Sequence, residues 1–88
     1  ALALGLVNRV VPAADLAVEA ATLAASLAHG PTLAYASVKA SLAYSATHPF
    51  AESLAFESRM MARTGGSADH RNAVDAFVAK EKPTFEGR

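Results

Sequence analysis

Apolar residues recur at helical spacing along most of the chain, and short turn-forming stretches divide the pattern into four segments. One face of the first segment has apolar residues spaced by four, three and four positions: Leu16, Ala20, Leu23 and Leu27. The His-Gly-Pro sequence at 29–31 ends this segment, because glycine breaks a helix and proline suits the first turn of the next one. The pattern therefore predicts a helix from about residue 13 to this break.

The remaining segments predict three more helices. The second covers about 31–46 and the third about 49–63. The fourth begins after Ser67, a favourable N-cap residue, has Asp69 in its first turn, and is expected to stop at Pro83. The apolar residues that we expect to face inward on the fourth helix are Val74, Phe77 and Val78.

Only the run from Gly5 to Pro12 has the character of a strand, since it contains β-branched valines at positions 7, 10 and 11 and closes with proline. A single short strand cannot form a sheet, so this run must pair with something outside the chain or lie as an extended segment. The predicted fold is therefore mainly α, with a short N-terminal extended or strand segment followed by four helices.

Composition points to a small domain that needs a partner. Hydrophobic residues make up 52% of the 88 positions, and 22 residues are alanine, which favours helix but buries little area. A chain of this length has a small core, so we expect part of its apolar surface to contact another molecule. The formal net charge of zero argues against nucleic acid as that partner. The absence of cysteine excludes disulfides and thiolate sites.

We do not expect the N-terminal residues to be a signal peptide. The chain starts at Ala1 without methionine or a basic region, unlike a signal peptide, and we expect that an upstream part has been lost. No stretch approaches the roughly 18–20 continuous apolar residues of a membrane span. We therefore expect a cytoplasmic protein with no membrane partner.

A catalytic or metal centre does not emerge from the titratable residues. The three histidines, His29, His48 and His70, are not spaced as a set of converging metal ligands, so no metal site is predicted. Paired acid–base chemistry needs two carboxylates in one pocket. Among the acidic residues Glu57 lies in the most apolar surroundings, but pairing with Arg59 or Arg63, or a contact between helices, explains it better than a catalytic role. No catalytic residue is therefore assigned.

The C-terminal sequence offers one candidate binding pair. Phe77 and Lys80 are separated by three positions and share a helix face. An aromatic ring beside an ammonium group suits a nucleotide, with the ring on the base and the charge on phosphate. In the alternative, Phe77 belongs to the core and Lys80 only complements the helix dipole. The energies do not separate the two, because burying a phenylalanine is worth about 1.5–3 kcal/mol and stacking it on a base about 1–3 kcal/mol. Spacing alone favours the core alternative.

Three stretches resemble, in order, the C-terminal part of the enoyl-CoA hydratase/isomerase (crotonase) family. They are LALGLVNRVVP at 2–12, GPTLAYASVKASL at 30–42 and GSADHRNAVDAFVAKEKPTFEGR at 66–88. The matching features are Leu4-Gly5-Leu6-Val7, Val10-Val11-Pro12, Gly30-Pro31 with Lys39, and the segment from Asp69 to Phe85. The chain departs from the family pattern at Asn72-Ala73, where family members usually have Glu-Gly.

The resemblance implies different roles for the two parts of the chain. Residues 1–12 would be the tail of the crotonase core, and residues 13–88 the C-terminal helical region, which drives trimer or hexamer formation and covers the acyl-CoA site. The parent protein would hydrate or isomerise an acyl-CoA, with coenzyme A as part of the substrate and no separate cofactor. Its oxyanion hole and carboxylates would precede Ala1, so this chain alone is expected to be inactive. Whether the parent is a hydratase or an isomerase is left open, because the residues that distinguish them would also lie upstream.

The resemblance also changes the interpretation of the C-terminal pair. The positions that match Phe77 and Lys80 contact the adenine and phosphate end of coenzyme A in some family members, which makes the ligand role as plausible as the structural one. The rival hypothesis is a free-standing, non-catalytic helical assembly module. The apolar excess fits both hypotheses, and coenzyme A binding would favour the first.

Overall fold

Four α-helices dominate the computed structural model, which describes all 88 residues. Two short 3₁₀ turns, Leu2–Leu4 and Ala13–Asp15, precede α1 (Leu16–Ala28), α2 (Thr32–Ser45), α3 (Phe50–Gly65) and α4 (Ala68–Ala79). The mainly helical fold and the number of helices are thus as predicted. None of the four helices combines the length and apolarity that a membrane crossing requires.

The N-terminal segment contains no strand. Residues 7–12 have neither helical nor strand structure, and Pro12 has the extended backbone angles φ −55° and ψ 145°. The strand is missing because its backbone groups need a neighbouring strand, and no segment of this chain pairs with the run. The segment is tied to α1 through an exposed ion pair, in which Arg9 Nη1 lies 2.7 Å from Glu19 Oε2.

The turn between α2 and α3 is held by a stack of aromatic side chains. The ring of Tyr44 lies 3.6 Å from that of His48 and 4.3 Å from that of Phe56, with interplanar angles of 10° and 12°. The guanidinium of Arg59 covers Phe56 at 5.3 Å. Stacked rings of this kind contribute about 0.5–1.5 kcal/mol each beyond the area that they bury. The α2–α3 hairpin is therefore the best-packed unit of the chain.

The helices spread into a plate without a hydrophobic core. No apolar residue is buried, and the three buried residues, Ser37, Ser67 and Asp69, are all polar. The radius of gyration is 16.7 Å, whereas a compact domain of this length has about 12 Å. The accessible surface is 6907 Å², whereas a folded monomer of this mass exposes about 4,900 Å². About 2,000 Å² of additional surface is therefore available for contact with other protein.

Helix α4 departs from the prediction in two ways. It ends at Ala79 and not at Pro83, because Lys80 has the left-handed backbone angles φ 57° and ψ 37°. The three apolar residues that were predicted to face inward are exposed instead: Val74 by 46%, Phe77 by 84% and Val78 by 76%. That expectation was wrong for this chain because no second layer of helices lies opposite this face of α4.

Candidate functional site

Phe77 and Lys80 lie together at the C-terminal end of α4. The Phe77 ring is 84% exposed, so it is not part of a core within this chain. Lys80 follows the last helical residue, and its left-handed conformation closes the helix: the Glu81 N–H donates to the Ala76 carbonyl at 2.8 Å and the Lys80 N–H to that of Phe77 at 3.2 Å. This is the Schellman pattern of helix termination.

Lysine is an unusual residue for this position. Lys80 is the only non-glycine residue of the chain with a positive φ, and the left-handed region costs an L-residue roughly 1–2 kcal/mol. Glycine normally occupies it. The Lys80 ammonium takes no part in an ion pair, since the two pairs in the chain are Arg9–Glu19 and Arg88–Glu86. The contacts within the chain therefore do not explain why a lysine stands here.

Replacing this lysine tests the backbone cost directly. The substitution Lys80→Gly is expected to raise the free energy of unfolding by about 0.5–1 kcal/mol, because glycine adopts a positive φ without a steric penalty. Urea denaturation would measure the change, with Lys82→Gly as a control outside the helix end. A loss of stability in Lys80→Gly would show instead that the lysine's interaction with the helix dipole outweighs the backbone cost.

The beginning of α4 confirms one prediction and adds a feature that the sequence did not reveal. Ser67 is the N-cap, and its Oγ accepts a hydrogen bond from the His70 N–H at 3.0 Å. Asp69, expected only to complement the helix dipole, is 4% exposed. Its carboxylate accepts hydrogen bonds from the backbone of the C-terminal residues Glu86 and Gly87. No local pattern signals this contact, because the partners lie 17 and 18 positions away.

An open groove of about 540 Å³ runs between α2 and α3. Five exposed apolar side chains line much of it: Val38, Leu42, Phe50, Leu54 and Met61. Glu57 is the only carboxylate at the groove, and it forms neither of the ion pairs that were considered for it, with Arg59 or Arg63. One carboxylate cannot supply both the acid and the base of a paired mechanism. The groove is thus better suited to packing than to chemistry.

The histidines do not converge on a common centre. The Nδ1 atoms of His29 and His48 each lie 2.7 Å from the carbonyl oxygen four positions earlier, in Ala25 and Tyr44. His70 is in the first turn of α4. No group of three His, Asp or Glu side chains is placed to hold a metal ion.

Comparison with known proteins extends over the whole chain. The sequence profile described as "Enoyl-CoA hydratase/isomerase" matches residues 1–88. Among curated proteins, the "Probable enoyl-CoA hydratase" of Rhodobacter capsulatus is 39% identical over 85 residues, which are 97% of this chain and 33% of that protein. The "1,2-epoxyphenylacetyl-CoA isomerase" of Escherichia coli is 34% identical over 84 residues, which are 96% of this chain and 32% of that protein.

Solved structures show the same similarity in three dimensions. A crystal structure from Mycobacterium abscessus, described as an enoyl-CoA hydratase/isomerase, matches with a TM-score of 0.94 and 42% identity over 99% of this chain and 34% of that one. A Geobacillus kaustophilus enoyl-CoA hydratase subunit I matches with a TM-score of 0.90 and 34% identity over 99% of this chain and 34% of that one. The chain thus spans about a third of the length of the relatives that it matches.

Proposed function

Because this chain belongs to the enoyl-CoA hydratase/isomerase family, we propose that it is the helical part of an enzyme that hydrates or isomerises an acyl-CoA thioester. In this proposal the chain supplies subunit contacts and a contact to the nucleotide end of coenzyme A, and the chemistry takes place elsewhere in the protein. The observation that carries the proposal is the match of all four helices to family structures at TM-scores of 0.90 and above.

The chemistry of an acyl-CoA thioester explains this division. Hydration or isomerisation develops negative charge on the thioester oxygen, and preorganised N–H donors stabilise such charge. Carboxylates placed at the reacting carbons then move the protons. In this chain the groove between α2 and α3 offers a single carboxylate, that of Glu57. We therefore assign binding and assembly to these helices, with coenzyme A as part of the substrate and no separate cofactor.

The C-terminal end of α4 supports the contact to coenzyme A. The exposed ring of Phe77 offers a flat apolar surface on which an adenine could stack, a contact that is worth about 1–3 kcal/mol. Lys80 places an unpaired ammonium three positions further along the chain, and phosphate is a suitable partner for it. A phosphate contact would also account for a lysine in a left-handed conformation, because strained backbone is typical of ligand-binding positions.

The exposed apolar surface supports assembly into a trimer or hexamer. A stable protein–protein interface buries roughly 1,200–2,000 Å² in total, and this chain exposes about 2,000 Å² more than a compact monomer of its mass. The alternative of a free-standing assembly module without a substrate accounts for the same surface. Titration with coenzyme A separates the two proposals, because only the first one includes binding of the nucleotide.

The contact to coenzyme A is tested by substitution at the end of α4. In the protein as its native gene encodes it, Lys80→Ala is expected to raise the KM for acyl-CoA by about three- to tenfold with kcat unchanged, since an exposed ammonium–phosphate pair is worth about 1 kcal/mol. Phe77→Ala should act in the same direction through lost stacking. The matched control is Lys82→Ala, which removes the same charge two positions away. A KM that is unchanged in Lys80→Ala, or raised equally by the control, would contradict the proposal.

A further inference from the structure

The most buried side chain of the molecule has no part in the function proposed above. Asp69 is 4% exposed, in a chain where only three residues are buried. Burial of a carboxylate is unfavourable unless hydrogen bonds replace the lost water. The groups that donate hydrogen bonds to Asp69 therefore identify the purpose of its burial.

Asp69 forms three hydrogen bonds with the C-terminal residues of the chain. Its Oδ1 accepts from the Glu86 N–H at 2.6 Å and its Oδ2 from the Gly87 N–H at 3.0 Å. Its own backbone N–H donates to the Arg88 carbonyl at 2.9 Å. Hydrogen bonds to an ionised carboxylate are roughly twice as strong as neutral ones. We call this arrangement, Asp69 with residues 86–88, the latch.

Two neighbouring features shape the latch. Phe85 lines a pocket together with Pro31 and Leu33, at the start of α2, and with His70 and Ala73 of α4. Gly87 has a φ of 77°, and a Cβ atom at this position would lie 2.9 Å from Thr32 Oγ1. Glycine is thus favoured both by the backbone conformation and by the limited space next to α2. The latch therefore connects the C-terminal residues to α2 as well as to α4.

The segment between the helix end and the latch is only slightly longer than the distance that it must span. Asp69 and Lys80 lie about 16 Å apart along the helix axis at a rise of about 1.5 Å per residue. The chain from Lys80 to Glu86, which must return along this distance, can span at most about 20 Å. We call residues 81–85 the return segment. Because its maximum reach exceeds the distance by only about 4 Å, the return segment restricts the backbone directions open to Lys80.

The hydrogen bonds of the latch account for the position at which α4 ends. Local sequence favours continuation of the helix to Pro83, the first residue that must stop it. In the structure the helix ends after Ala79, and Lys80 turns the chain back with a positive φ. A helix that continued through Lys80 would carry Glu81 away from the latch, so the hydrogen bonds to Asp69 and the left-handed conformation of Lys80 require each other.

We propose that Asp69 is a positioning residue for Lys80: the latch holds the return segment, and the return segment sets the backbone direction from which the Lys80 side chain leaves α4. The inference rests on the proposed function only in so far as Lys80 meets coenzyme A. Release of the latch allows Lys80 to return to a right-handed conformation, which changes the direction in which its side chain leaves the end of α4.

The test uses the protein as its native gene encodes it, with Asp69→Asn as the main variant. Asparagine keeps the shape but places an NH₂ group against one of the two backbone donors. Hydrogen exchange of the Glu86 and Gly87 amides is expected to accelerate about 10- to 100-fold, in line with loss of a charge-assisted hydrogen bond. In a crystal structure of the variant, the φ of Lys80 is expected to be negative. The matched control is Asp75→Asn, an exposed carboxylate of the same helix.

Kinetics separate positioning from general destabilisation. Asp69→Asn is expected to raise the KM for acyl-CoA as much as Lys80→Ala does, with kcat unchanged. The double variant should have the KM of Lys80→Ala alone, because the latch acts only through that lysine. KM increases that multiply in the double variant, or unchanged amide exchange, would overturn the proposal. If Asp69→Asn does not fold, Gly87→Val breaks the latch from the other side, and the same outcomes apply to it.

Failure of this proposal can be distinguished from failure of the proposed function. An unchanged KM in Lys80→Ala would contradict the proposed contact to coenzyme A. The φ of Lys80 in the Asp69→Asn structure tests the latch separately, because it does not depend on any substrate. A φ that stays near 57° in that variant would overturn the latch even if Lys80→Ala raises KM.

Discussion

The paired substitution Leu42→Glu and Leu54→Glu is expected to dissociate the proposed oligomer. Both leucines line the groove between α2 and α3 and are exposed by 65% and 50%. Burying each one in an interface contributes about 1.5–3 kcal/mol, and an unpaired charge in the same place costs several kcal/mol more. The association constant should therefore fall by more than about 10³-fold. Light scattering after size-exclusion chromatography would show the lower mass.

The same two helices provide the control for this experiment. Ala43→Glu and Ala55→Glu add the same charges at the next position of each helix, where the side chains are exposed and lie outside the groove. This control pair should leave the oligomer intact and the circular dichroism spectrum helical. An unchanged mass for the leucine pair, with the helices still formed, would exclude the groove as the subunit contact.

The second large effect concerns catalysis. The 88-residue chain alone is expected to hydrate an enoyl-CoA no faster than the uncatalysed reaction in the same buffer. The groove between α2 and α3 brings one carboxylate to its surface, Glu57, and acid–base chemistry of this kind needs positioned groups at both reacting carbons together with donors for the thioester oxygen. Loss of the enoyl thioester absorbance measures the rate. The protein encoded by the native gene is the positive control.

A helical circular dichroism spectrum must accompany that assay, so that an inactive sample is known to be folded. Turnover by the chain alone that disappears in Glu57→Gln would place the chemistry in the groove, and the assignment of these helices to binding and assembly would be wrong. Turnover that survives Glu57→Gln would point to contamination by a complete enzyme or to another carboxylate of the chain.

Local sequence accounted well for the helices and less well for their surroundings. Ser67 was identified as an N-cap because a short hydroxyl side chain satisfies a free amide of the first turn, which is a local interaction. The strand between Gly5 and Pro12 did not form, because pairing depends on a partner that the run itself does not specify. Val78 was predicted to face inward from spacing, but spacing defines a face without saying what lies opposite to it.

The candidate site shows the same division. Phe77 and Lys80 were identified from their spacing and from the family resemblance, and the structure adds that both are exposed at the end of α4. Whether they contact coenzyme A stays a prediction. The left-handed conformation of Lys80 could not be predicted, because lysine is a good helix former and glycine is the expected residue there. The role of Asp69 was missed for a similar reason, since an acidic residue in a first turn already has a local explanation.

By itself, the sequence determined the helical character of the chain and the number of its helices, because alanine content, hydrophobic periodicity and capping residues act over a few neighbouring positions. The family was identified separately, from three motifs that resemble it in the right order. Only the tertiary structure decided which apolar faces stay uncovered, where α4 ends and why a carboxylate is buried. These features depend on contacts such as those of Asp69 with Glu86 and Gly87, which are distant in sequence and form only when the chain folds back on itself.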